Sequence, residues 1–131
     1  MSGEAPTLYP SMRYRDAPAA IEFLKSAFGF AEHVVYRNDD GTIGHAELSY
    51  GPSILMLGSD RDDGYSKRAG HGWLYVAVED ADAHCQRARA AGAEVVTELH
   101  DTDYGSRDYA ARDLEGNMWS FGTYRPGVEQ V

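Results

Sequence analysis

Apolar and polar positions alternate with a period of two from Thr7 to Arg15. Thr7, Tyr9, Ser11 and Arg13 fall on one side, and Leu8, Met12 and Tyr14 on the other. Successive side chains of an extended chain point to opposite faces, so this period predicts a β-strand. The period then lengthens. Ile21, Leu24 and Phe28 share one face of a 3.6-residue helix. Asp16 can cap its start, Pro18 is tolerated in its first turn, and Gly29 can take the left-handed conformation that ends it. Three extended segments follow, "HVVYRN", "GHAELSY" and "SILML". The turn sequences Asn38-Asp39-Asp40-Gly41 and Gly51-Pro52 separate them.

The same order of elements then recurs. "GWLYVAV" predicts a strand, Asp80 caps a helix that carries Ala81, Cys85 and Ala88 on one face, and Gly92 closes it. "AEVVTEL", "RDYAARD" and "NMWSFGTY" predict three more strands, with turns at Asp103-Tyr104-Gly105 and Glu115-Gly116-Asn117. Asp16 matches Asp80 and Gly41 matches Gly105 at a step of 64 residues, and Gly51 matches Gly116 at a step of 65. A repeat of this length means two copies of one supersecondary unit. The expected fold is therefore α+β, one domain over residues 1–131 made of two tandem βαβββ modules. Residues 7–58 form the first, 59–70 a polar, glycine-rich linker, and 71–126 the second.

The composition narrows the function. The chain has 131 residues, 12 basic against 21 acidic, and a formal net charge of −9. Binding to nucleic acid or anionic membranes needs clustered Lys and Arg, so neither partner is expected. An acidic cleft concentrates cations and suits a cationic ligand. The opening "MSGEAPTLYP" contains no apolar run of signal or membrane length, and the single Cys85 can form no internal disulfide. A cytoplasmic protein is the expectation.

The stretch "RDLEGNMWSFGTY", Arg112 to Tyr124, resembles the terminal Asp-Pro-x-Gly-Asn strand of the vicinal oxygen chelate superfamily, with Leu114 where proline is usual. With the paired βαβββ repeat, the resemblance extends from Thr7 to Arg125. That superfamily includes glyoxalase I, extradiol dioxygenases and bleomycin resistance proteins, and this chain is most similar to the bleomycin-resistance-like branch. The resemblance implies two half-cups of curled strands facing one another. It also implies a ligand position on the first and last strand of each module. Carried onto this chain, those positions are Tyr9 and Trp73 on the first strands, and Leu55 and Ser120 on the last. Such residues are no set for a divalent ion, which wants imidazole nitrogen or carboxylate oxygen. The resemblance thus implies a metal-free protein with no cofactor, taking up a small-molecule ligand in its cup by sequestration, and pairing as a homodimer.

Other residues keep rival readings open. His45 and Glu47 stand at i and i+2 of one strand and share a face. If that face lines the cup, they could work as an acid–base pair in a metal-free isomerase. Joined by His71, they would make a two-histidine, one-carboxylate site for a glyoxalase-like lyase or a dioxygenase. Tyr9, Trp73, Tyr75 and Tyr109 share the parity of the cup positions and would offer a stacking wall. Trp119, of opposite parity to Ser120, is expected under a helix. Ser11 and Arg13 complete the expected lining, with Arg13 able to bind a carboxylate or to pair with Glu47.

Overall fold

The computed structural model describes residues 6–60 and 70–127. The first module runs β1 (Ser11–Tyr14), α1 (Ala17–Phe28), β2 (Ala31–Arg37), β3 (Ile43–Tyr50) and β4 (Ser53–Ser59). The second runs β5 (Trp73–Ala77), α2 (Ala81–Ala90), β6 (Glu94–Asp101), β7 (Arg107–Arg112) and β8 (Met118–Gly122). Each module is one four-stranded mixed sheet, in the orders β1-β4-β3-β2 and β5-β8-β7-β6. The outer pairs β1–β4 and β5–β8 are parallel, because a helix carries the chain across before the strands return. This is the expected α+β architecture of two βαβββ units. The first strand is shorter than its alternation suggested, and Tyr9 lies ahead of it. Ser59 belongs to β4, and most of the expected linker (residues 61–69) lies outside the described residues.

The helix signals act as their chemistry requires. The Asp16 carboxylate accepts from Ala19 N–H at 3.1 Å, and Asp80 does the same for Ala83 at 3.0 Å. Gly29 ends α1 at φ 86°, a conformation that would strain any side chain. Each sheet turns one face to its own helix, and these two covered faces meet in a single core. Phe28, at the end of α1, lies 5.4 Å from the Trp119 ring and 4.8 Å from the Phe121 ring of the second module. Trp119 is fully buried on the helix side, as its parity predicted.

A second tie between the modules is polar. The Asp113 carboxylate, in the five-residue turn between β7 and β8, accepts from Tyr14 OH at 2.6 Å and from Trp119 Nε1 at 3.0 Å. Asn117 Nδ2 donates to it as well, at 3.1 Å. Burial, and then the negative charge of Asp113, hold the Tyr14 phenol far above its ordinary range. In the same turn the Glu115 carboxylate accepts from the backbone N–H of Arg15 and Asp16, each at 2.7 Å. The turn of the second module thus clasps the chain where it enters α1.

Candidate functional site

Because the helix-covered faces meet inside, the other face of each sheet is left open. On the first sheet that open face is set by register. Ser11 stands beside Met56, Met56 beside Glu47, and Glu47 beside Val34, in one row across four strands. His45 is in the next row, opposite Tyr36. His45 and Glu47 share this face as expected, and the imidazole Nε2 lies 2.9 Å from Glu47 Oε2. His33 adds a second imidazole, with Nε2 3.8 Å from the other carboxylate oxygen. The Tyr36 ring stacks on His45 with centroids 6.3 Å apart. The strand period gave no sign of His33. A register irregularity between Glu32 and Val34 brings it beside Glu47, and a bulge of that kind leaves no mark on hydrophobic alternation.

Arg13 lies on the same open face, with Nη1 donating to Ser59 O at 3.3 Å. A Cβ at Gly58 would run into that guanidinium, so glycine there lets Arg13 cross the strand. Ser11 is exposed beside Met56, and Tyr9 is 39% exposed ahead of the strand.

The open face of the second sheet is aromatic. Trp73 and Tyr75 project from β5, beside Met118 and Ser120 of β8. Trp73 is 74% exposed, yet its indole Nε1 donates to Ser120 Oγ at 3.2 Å, which pins the ring. Tyr75 OH donates to the Tyr124 carbonyl at 2.6 Å. Gly122 makes room for that hydroxyl and for the Asp108 carboxylate, both of which would meet a Cβ there.

Two expected cup residues face the other way. Leu55 and Tyr109 are 3% and 1% exposed and belong to the shared core. Tyr109 OH bonds to His84 Nδ1 at 2.6 Å, and burial raises its pKa well above the ordinary range. The reason is a slip of one residue, which sends a strand side chain to the opposite face. The turn between β3 and β4 has two residues, Gly51 and Pro52, while that between β7 and β8 has five. Matching the glycines of the two turns therefore misplaces the strands around them. The parallel pairs show the true correspondence. Ser11 pairs with Met56 and Tyr75 with Ser120, so the first and the last strands both repeat at 64 residues. Met56, not Leu55, is the counterpart of Ser120.

The implied metal positions thus become Tyr9, Met56, Trp73 and Ser120. An indole offers no lone pair, a thioether is a soft donor, and a phenol and a hydroxyl complete no site for a hard or borderline divalent ion. The residues do not fit such a metal. The rival trio also fails to assemble. His71 is exposed just before β5 of the second sheet, whereas His45 and Glu47 stand on the first. Among the described residues no three His, Cys, Asp or Glu side chains converge on a possible ion position.

The comparisons with known proteins agree with this architecture. The family model of the Glyoxalase/Bleomycin resistance protein/Dioxygenase superfamily matches residues 8–121. An uncharacterized protein of Mycobacterium bovis is 34% identical over 128 residues, covering 89% of this chain and 82% of that protein. The crystal structure of TioX from Micromonospora sp. ML1 superposes with a TM-score of 0.79 at 33% identity, over 94% of this chain and all of that one. A glyoxalase I mutant from Zea mays shares the fold at a TM-score of 0.72 and 18% identity, over 89% of this chain and 44% of that one. Both the repeat and its open-faced sheets place the chain in this group: it belongs to the glyoxalase/bleomycin resistance protein/dioxygenase superfamily.

Proposed function

We propose that this chain is a metal-free binding protein that sequesters a small, flat, cationic molecule against its open sheet faces, and that a second copy completes the site. The carrying observation is Trp73. A ring that is 74% exposed and held by a hydrogen bond from its own edge is a prepared stacking surface. Each chain presents two half-cups outward, an acid–base face around Glu47 and an aromatic face around Trp73. The half-cup of one copy can close over the other kind of half-cup of its partner, which supports a homodimer. Glu47 and the net charge of −9 favour a cationic group on the ligand. No helix among the described residues is long and apolar enough to cross a membrane, and the lone buried Cys85 suits the cytoplasm.

The test uses bleomycin as a cationic probe with planar rings, titrated calorimetrically into the intact chain and into Trp73→Ala. Loss of a stacking anchor should weaken binding about 30-fold, on the order of 2 kcal/mol. The thermal midpoint should stay the same, because the ring packs on little. Equal affinity in the variant would remove the aromatic face from the site. Full affinity in a chain that sediments as a monomer would remove the shared cup.

One observation favours a second reading. The His45–Glu47 contact at 2.9 Å is a competent proton-transfer pair on a face open to a ligand. If it acts on what it binds, ligand recovered from the wild type should carry solvent deuterium at an exchangeable carbon, and ligand recovered from Glu47→Gln should not. Unlabelled ligand from both proteins would leave binding alone.

A further inference from the structure

Exposed rings gather at one end of the second open face. Tyr75 is 40% exposed, Tyr104 62% and Tyr124 39%. Tyr104 stands in the turn between β6 and β7, and Tyr124 follows β8. Their rings meet edge to face, with centroids 5.7 Å apart and planes at 82°, so they form two walls of a corner. Single exposed rings are ordinary, but rings gathered on the face that also carries Trp73 mark a binding surface. Hydrogen bonds fix the corner in place. Tyr124 N donates to Ser106 Oγ at 3.1 Å, and Tyr75 OH donates to the Tyr124 carbonyl at 2.6 Å. The buried Ser106 hydroxyl donates in turn to Asp108 Oδ1, and Tyr104 OH reaches Asp108 Oδ2 at 3.4 Å.

The charge at this corner is negative. Register sets Asp108 beside Gly122 on the open face, one row from the Ser120 that flanks Tyr75. Burial raises the Tyr75 phenol above its ordinary value, and the charge of Asp108 raises it further. Arg107, next to Asp108 in sequence, is turned away to donate to Asp82 and Asp101. Arg125, next to Tyr124, lines the hollow beside Tyr50 and Glu79. The acceptors of the corner are already engaged. Asp108 takes the hydroxyls of Ser106 and Tyr104, and the Tyr124 carbonyl takes that of Tyr75. A primary ammonium has three N–H donors to satisfy when it leaves water, and finds these oxygens in use. A fully alkylated ammonium has no N–H. It needs only ring faces and a negative field, and both are present.

We propose that the corner of Tyr104 and Tyr124, with the Asp108 carboxylate beside it, seats a fully alkylated ammonium group, the cationic end of the ligand that the open faces take up. This rests on the binding role proposed above and names the class of ligand. Gly122 pairs with Ala77, four residues along β5 from Trp73, which places the corner's row about 13 Å from the indole. A molecule that uses both seats therefore carries its planar part and its alkylated ammonium about that far apart.

The experiment titrates the full chain with tetramethylammonium, methylammonium and the neutral, similarly shaped tert-butanol. Binding is read by NMR from the probe's methyl resonance, which the ring currents of the corner move upfield. Tetramethylammonium should bind saturably, about tenfold tighter than methylammonium, and tert-butanol should not saturate. Tyr104→Ala should remove that preference, while Tyr104→Phe, which keeps the ring face, should retain it. Asp108→Asn keeps an acceptor for Ser106 and removes the charge, and should weaken tetramethylammonium about fivefold. Tyr104 stands on an exposed turn, so its two variants decide the question even where Asp108→Asn fails to fold. Absence of saturable tetramethylammonium binding overturns the proposal, as does equal affinity for the two cations. An effect of Tyr104→Phe as large as that of Tyr104→Ala also overturns it, because the hydroxyl and not the ring would then be the contact. Trp73→Ala should leave tetramethylammonium binding unchanged, so loss of bleomycin binding in that variant tests the stacking face separately from this seat.

Discussion

Asp113→Ala is expected to lower the free energy of unfolding by about 4 kcal/mol. Asp113 is 7% exposed, and its carboxylate serves Tyr14 OH, Trp119 Nε1, Asn117 Nδ2 and the backbone N–H groups of Glu115 and Asn117. Removing it strands the buried indole N–H of Trp119 and leaves the buried Tyr14 hydroxyl only the weak Met12 Sδ acceptor at 3.8 Å. A buried donor left without a partner costs about 1–3 kcal/mol, and Asp113 is the acceptor for Trp119 Nε1, Asn117 Nδ2 and the N–H of Asn117 besides Tyr14. Urea denaturation measures the loss. Tyr14→Phe supplies the control, because it removes one stranded donor along with its partner. Its cost should be about 1–2 kcal/mol in the wild type and close to zero in the Asp113→Ala background. A loss below about 1 kcal/mol for Asp113→Ala would mean that the tie between the modules carries little stability.

Phe28→Ala is expected to cost about 3–5 kcal/mol, the usual range for a large ring removed from a close-packed core. Phe28 belongs to the first module, but its ring stands on Trp119 and Phe121 of the second. The cavity therefore opens between the modules rather than inside one. In the Trp73→Phe background, Trp119 emission reports on the second module, while far-ultraviolet circular dichroism reports on both. The two signals should move to lower denaturant together. If circular dichroism shifts and Trp119 emission stays in place, the modules are stable separately and the shared core is not what joins them.

The local elements were legible because their signals are short-range. A cap at Asp16 or Asp80 needs only a carboxylate three residues before a free N–H, and both form as expected. Gly29 and Gly41 sit at positive φ where turns were read. Alternation also placed His45 and Glu47 on one side of a strand, which holds whatever the fold. Part of the site was hidden for an equally physical reason. A period of two says which residues share a face and not which face is covered, and it is reset by every change in turn length. The count through Gly51-Pro52 therefore put Leu55 in the cup, where Met56 stands, and a separate one-residue slip put Tyr109 there, because β7 matches β3 through Ala110 and Glu47 and so sets Tyr109 against the buried Ala46.

The amino-acid pattern by itself determined the two βαβββ modules, their helix boundaries and the placement of His45 and Glu47 on one face of a strand. Each follows from spacing along the chain or from the chemistry of single side chains. Only the tertiary structure decided that the helix sides of both sheets meet, that Trp73 stands outside and Leu55 inside, that a bulge brings His33 to Glu47, and that the turn between β7 and β8 clasps the start of α1. Those outcomes depend on which apolar surfaces exclude water against each other, and that choice is made between segments some 60 residues apart, beyond the reach of any local period.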